Sequence, residues 1–382
     1  MGEGRGMQER SDWPDRVKGI GMFTVFHGHL SGAFGLVGSA FGELTMKFWA
    51  TFMVAAFLMI SGYFFKDRGL RFGPYLARIA RARLLPVVGF ELVGLVLVLG
   101  MLAVSGRLSA ETALKVSRQV LLLAAGWPLL NPVSWFLVTL FTLEVAQYFV
   151  ARLTRPTWAV AVAAVLFGLA TWAFPFDVYI AQQPYHPRGW WFTTPAMAGM
   201  VFYQAGVLLR RWRVPERLGR LPKLGLTLAC TLAVFLTFDL NQGPFPQLHA
   251  HFMPLPGMSA FGNLPWFFTT GLVGGLAVFG LCQLLPHSKL LEAIGRNTTT
   301  LLCLNSFCVL LVNPAVVSYF GKTLGWISPW AVALQALLGT LICLAIAVPL
   351  ADWIAQKAPW LAGRSRPPAA LPANALPLAG TT

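Results

Sequence analysis

An all-α, polytopic membrane bundle is the fold class this sequence predicts, and three observations predict it: the composition, ten long apolar runs, and the distribution of basic residues. Hydrophobic residues make up 56% of the 382 and charged residues 11%, less than half the quarter usual in a soluble domain. Such a chain needs lipid as its solvent, so the bilayer is its first partner. A bilayer core takes about 20 mainly apolar residues per helix. Runs of that kind fall near 17–37, 46–65, 84–105, 133–151, 157–174, 194–209, 224–239, 265–285, 298–319 and 328–351.

Charge orients these spans. With both termini cytoplasmic, 23 of the 29 Lys and Arg fall inside, in Arg5–Lys18, Lys66–Arg83, Arg152–Arg155, Arg210–Lys223, and at Lys289, Arg296, Lys357, Arg364 and Arg366. Only Lys47, Arg107, Lys115, Arg118, Arg188 and Lys322 fall outside, the asymmetry expected of cytoplasmic loops. The net charge of +15 is therefore read as topology; no soluble segment is long enough to form a nucleic-acid-binding domain. Residues 1–16 are expected as a cytoplasmic tail, 17–353 as the transmembrane domain, and the Pro/Ala-rich 354–382 as a disordered cytoplasmic tail. The N-terminal stretch has no apolar core of a signal peptide and no Ser or Thr at position 6 for myristoylation. Outer loops near 106–132, 175–193 and 240–264 carry Trp, Pro and His, and no soluble domain is expected. Five cysteines lie in or beside apolar runs with no CxxC, which supports neither disulfides nor a metal site.

The first span, in "DRVKGIGMFTVFHGHL", carries two histidines. At 100° per residue His29 lies about 20° past three full turns from Lys18, so Asp15, Lys18, Met22 and His29 share a stripe while His27 points about 200° away. Lys18 and His29 are roughly 16 Å apart along the axis. An ionisable group inside a span is costly and usually faces a functional cavity. Imidazole titrates near neutral pH, as a general base requires. His29 is read as that base, and His27 as a hydrogen bond to a neighbouring helix.

"WPDRVKGIGMFTVFHGH" resembles the first helix of the acyltransferase 3 family, whose motif is a basic residue, ten residues, then the catalytic histidine; here these are Lys18 and His29. In sequence order, "FLMISGYFFK", "RIARARLLP", "SWFLVTLFTLE", "VFYQAGVLLRR" and "LEAIGRNTTTLLCLNSF" resemble later motifs of the family, with Asn305 where many relatives have His. The spacing is most similar to that of bacterial polysaccharide O-acyltransferases. The resemblance implies an inner-membrane enzyme moving an acetyl group from acetyl-CoA, without a metal, to a hydroxyl of a polysaccharide or lipid-linked oligosaccharide.

On that reading CoA phosphates meet Lys18 and the Arg78, Arg81, Arg83 cluster, with Arg78 and Arg81 on one side of a helix and Arg83 off it. Ser61, Tyr63, Trp135 and Asn305 are candidates to stabilise the oxyanion, and Asp15 completes the stripe. Glu144, inside the fourth span, is expected to have an intramembrane partner rather than a catalytic role, and Asn263 resembles a Gly-Asn element that caps a helix or contacts sugar. Asn297 is read as an N-cap. His186, Arg188, Trp190 and Trp191 are weighed as a sugar platform against interfacial aromatics, and His249 and His251 as loop histidines rather than ligands. A transporter or flippase for a lipid-linked glycan is the rival reading. It predicts two similar halves, and no internal repeat links 17–190 with 194–351.

Overall fold

A computed structural model describes residues 12–33, 40–66, 69–173, 190–241, 261–325 and 328–364. Its elements are α1 (Trp13–Ala33), α2 (Ala40–Tyr63), α3 (Phe72–Val104), α4 (Ala110–Leu121), α5 (Trp135–Leu153), α6 (Thr157–Ala173), α7 (Thr193–Arg211), α8 (Arg220–Thr237), α9 (Leu264–Leu284), α10 (Lys289–Arg296), α11 (Thr298–Phe307) and α12 (Pro329–Lys357). Wider turns at Cys308–Val312 and Ser318–Thr323 prolong α11 to Thr323. The described residues contain no strand. Among the described residues, eight segments are long and apolar enough to cross a membrane. The other two predicted spans are α1, loaded with Asp15, Arg16 and Lys18, and α6, with 17 residues. The chain is a multi-pass membrane protein.

Three boundaries differ from expectation. α1 begins at Trp13, inside the predicted tail, because its first charges are buried and paired. Arg16 Nε donates to the Cys282 carbonyl at 3.0 Å, and the Trp13 ring packs edge-on against Tyr63 at 5.4 Å. Hydropathy alone cannot see such pairing. The Lys66–Arg83 segment, read as a loop, supplies the first 12 residues of the 33-residue α3. At 1.5 Å per residue α3 is about 50 Å long, so it overshoots a bilayer core of about 30 Å. Residues 358–364, read as disordered, fold back: Trp360 and Leu361 sit over Gly89, and Arg364 donates to the Arg296 carbonyl at 2.9 Å.

Burial sorts the helices into a centre and a rim. In α7, 72% of the apolar window is buried; in α8 only 17%, leaving Leu228, Leu232 and Leu236 for lipid. Central crossings are close because glycines meet backbone. A Cβ on Gly62 of α2 would stand 2.0 Å from the Tyr203 carbonyl oxygen, and one on Gly206 of α7 1.9 Å from that of Met59. The same device joins α1 to α10, where a Cβ on Gly19 or Gly295 would strike the Leu291 or Asp15 carbonyl. Two apolar cores result. One, around Met59, Tyr203 and Phe267, is built mainly from α2, α7 and α9. The other, around Phe26, Phe90 and Leu301, is built from α1, α3, α11 and α12.

Candidate active site

Where the two cores meet, α1, α2, α3, α5 and the start of α11 enclose a cavity of ≈ 730 Å³. Contacts along α1 and α2 give it two ends, since Trp13 meets Tyr63 while Thr24 reaches Met53, so the helices run antiparallel. Lys18, Lys66, Arg78 and Arg296 line one end, with Thr298 and Thr299 at the N-terminus of α11. His29, Trp49, Pro132 and Trp135 line the other. Apolar side chains such as Met53, Phe57 and Leu140 line the path between.

Among the described residues His29 is held from one side only. Its Nδ1 lies 2.5 Å from Asn305 Oδ1, and Asn305 is fully buried on α11. With the amide oxygen towards the ring, Nδ1 carries the proton and Nε2 the free lone pair. The ring keeps exposed surface where it lines the cavity. His27 faces the opposite way: its ring nitrogens lie 3.4 Å from Thr340 Oγ1 of α12 and from Ser31 Oγ, and it stacks on Phe23.

Asn305 adjoins, through the chain, a buried polar lattice that sequence reasoning missed. Its neighbour Ser306 donates to Asn131 Oδ1 at 2.7 Å, and Asn131 Nδ2 donates to the Cys303 carbonyl at 2.9 Å. The backbone N–H groups of Leu130 and Asn131 both donate to the buried Glu91 carboxylate of α3, at 2.8 and 2.9 Å. This ties the segment carrying Pro132 and Trp135 to α3 and α11. A carboxylate inside the apolar run "GFELVG" was the available signal, of the same kind that singled out Glu144.

The arginines of α3 depart from expectation. Arg78 and Arg83 line the cavity; Arg81 is exposed away from it. Pairwise spacing misplaced them because the buried arc centres on Tyr75 and Pro86, about 60–80° on from Arg78, which leaves Arg78 and Arg83 on its two edges and Arg81 outside. Arg83 is paired by a fork, Nη2 to Glu144 Oε1 at 2.8 Å and Nε to Oε2 at 3.2 Å, so Glu144 has its cation in the cavity wall. Arg78 donates to the Lys66 carbonyl at 2.9 Å and stands over the Tyr75 ring. Lys66 and Arg296, not singled out in the sequence, join the basic end; "GR" just before a helix start was the only hint of Arg296.

Other expected residues lie elsewhere or do other work. Asp15 is buried beneath Lys18, 3.2 Å from its Nζ, and does not line the cavity. Ser61 lines the basic half, but its hydroxyl donates to the Phe57 carbonyl at 2.8 Å, a turn-to-turn bond far from His29. Tyr63 is outside the cavity, its hydroxyl donating to Glu216 at 2.5 Å. Asn263 caps α9, accepting from Trp266 N at 3.2 Å, with no place in the cavity. Asn297 occupies an N-cap position without a capping bond; its amide donates to Asp352 Oδ1 at 2.7 Å and to the Ala293 carbonyl at 3.1 Å. His186, Arg188, His249 and His251 lie outside the described residues. Trp190 is exposed, and the Trp191 carbonyl accepts from Thr142 at 2.6 Å.

Asp12, His287 and Glu292 bring three possible metal ligands within 4.8 Å of one another. Here Arg16, 3.6 Å from Glu292 Oε1, pairs with that carboxylate and pins the start of α1 to α10, while His287 Nδ1 lies 2.7 Å from the same oxygen. No curated protein and no solved structure matches the chain. The model of an acyltransferase domain, in the acyltransferase 3 family, matches residues 11–354, and the chain belongs to that family of membrane acyltransferases.

Proposed function

We propose that the protein is an O-acetyltransferase of a bacterial inner membrane, moving acetyl from acetyl-CoA to a hydroxyl of an envelope or secreted polysaccharide or its lipid-linked precursor. The observation that carries this reading is His29, its Nδ1 held by Asn305 and its Nε2 free, in a cavity whose far end is basic. The separation of Lys18 and His29, roughly 16 Å along α1, suits a pantetheine arm of roughly 15 to 20 Å. Phosphates would meet Lys18, Lys66, Arg78 and Arg296, and the charge bias supports a cytoplasmic setting for that end.

In the reaction, Nε2 of His29 takes the proton of the acceptor hydroxyl as its oxygen attacks the thioester carbonyl. The tetrahedral oxyanion collapses, the C–S bond breaks, and the proton on His29 passes to the leaving CoA thiolate, regenerating the neutral ring. Trp135, whose indole can only donate and which lines the same end of the cavity as His29, serves as the oxyanion partner. Asn305 fixes the ring's tautomer, and Arg83 with Glu144 shapes the wall.

Mass spectrometry of envelope and secreted polysaccharide tests this in a deletion strain complemented with wild type or His29→Ala. O-acetyl esters should return only with the wild type. A deletion strain with an unchanged acetylation pattern would overturn the reading.

A further inference from the structure

A second hollow, of ≈ 1200 Å³, adjoins the basic end of the first, and Phe64, Phe65 and Lys66 line both. Its remaining wall includes Arg210 and Arg211 at the end of α7, and Arg213 and Glu216 just beyond. Coenzyme A carries two separate anionic groups, a pyrophosphate next to the pantetheine and a phosphate on the 3′ oxygen of the ribose. Lys18, Arg78 and Arg296 at the mouth of the first cavity serve the pyrophosphate. The geometry points to the second hollow as the seat of the donor's 3′-phosphoadenosine, an inference that rests on the acetyl-CoA reading.

Charge is the first support. Among the described residues, four cations, Lys66, Arg210, Arg211 and Arg213, line the second hollow with one carboxylate, and that carboxylate already accepts the Tyr63 hydroxyl at 2.5 Å. Two of the guanidinium groups are braced without being used up. Arg210 donates to the Tyr63 carbonyl at 2.9 Å, and Arg211 donates to the Arg155 and Thr154 carbonyls at 3.0 and 2.9 Å. A guanidinium has five N–H donors in a fixed fork, so each retains donors for a phosphate. The third, Arg213, is exposed and makes no side-chain hydrogen bond or ion pair among the described residues. Its backbone takes a left-handed φ of 52°, a conformation disfavoured for a residue with a Cβ, and it does so on the rim of this hollow. Phe64, 44% exposed on the ridge between the hollows, offers the flat apolar face on which a purine stacks.

Cations near a membrane surface also attract lipid phosphates. The two sources of phosphate separate experimentally. Acetyl-CoA and acetyl-3′-dephospho-CoA would be compared as donors for the purified full-length protein, in nanodiscs of neutral lipid and in nanodiscs with phosphatidylglycerol. Wild type should show a KM about tenfold lower for acetyl-CoA, the effect of a charge-assisted phosphate contact. Arg213→Gln should narrow that discrimination to less than about threefold, whereas Arg217→Gln, in the same segment but outside the hollow, should leave it near tenfold. A wild type indifferent to the 3′-phosphate, or an Arg213→Gln that keeps full discrimination, overturns the inference and leaves the acetyl-CoA reading standing. An Arg213→Gln defect seen only with phosphatidylglycerol assigns the hollow to lipid and also overturns it. Turnover of neither donor overturns the acetyl-CoA reading itself, and the inference with it.

Discussion

α1 carries two histidines two residues apart whose surroundings share almost nothing. His29 meets a buried amide on one nitrogen and a cavity on the rest of its ring, whereas His27 is stacked on Phe23 and reaches Thr340 on α12. α3 repeats the lesson with arginines: Arg83 and Arg78 face the cavity, one locked to Glu144 and the other braced on Lys66, and Arg81 faces out. A polar residue type in a span therefore says little by itself. The face it occupies, and what the opposing helix offers there, decides whether it is a reacting group, a brace or a topology signal.

The largest effect that would sharpen this comparison is on stability. Glu144→Ala leaves Arg83 without its carboxylate in a wall that is mostly buried, and removing one partner of such a pair costs about 3–5 kcal/mol when burial is complete, less here because the Arg83 side chain is 26% exposed. Thermal unfolding in detergent should show a marked drop for Glu144→Ala and a near-complete return for Arg83→Met combined with Glu144→Leu. A Glu144→Ala protein as stable as wild type would break the bracing role.

Asn305→Ala comes next. With the amide gone, both tautomers of His29 become populated and the ring loses its anchor, so kcat should fall about tenfold while KM for the donor changes little. An effect confined to KM would place Asn305 in donor binding instead.

Arg78→Ala should raise KM for acetyl-CoA about tenfold with kcat nearly unchanged, since a phosphate far from the reacting carbon is held equally in ground and transition states. Arg81→Ala should stay within about twofold of wild type, the smallest effect of the series, because an outward cation far from the donor path makes only screened contacts. Reversal of that order would return Arg81 to the site and refute the arc assigned to α3.

Much of this architecture was legible in the sequence. Ten apolar runs marked the ten longest helical segments among the described residues, eight of them long and apolar enough to cross a membrane, because a bilayer demands a fixed length of apolar residues whatever the fold. The Lys18 and His29 stripe was legible too, since helical periodicity alone places both on one face. What was not legible depends on partners distant in sequence. Glu91 is tolerated because two backbone N–H groups from residues 130 and 131 point at it, and nothing near Glu91 announces them. Trp13, Asp15 and Arg16 belong to α1 rather than to a tail because α9 and α10 cover them. Ser61 and Tyr63 have suitable hydroxyls, yet Tyr63 spends its own on Glu216, 153 residues on, and Ser61 turns to the Phe57 carbonyl one turn back, which composition and spacing do not reveal.

The most direct measurement is the rate of CoA thiol release in membranes containing equal amounts of folded wild type, His29→Ala and His27→Ala, with acetyl-CoA and glycan acceptor supplied. Loss of a general base costs about 10² to 10⁴ in rate, so His29→Ala should fall to background, while His27→Ala should keep at least about a third of wild-type turnover because it loses only weak contacts to α12 and Ser31. A well-expressed His29→Ala that still transfers acetyl, beside an inactive His27→Ala, would contradict the assignment of the reacting group to the cavity face of α1.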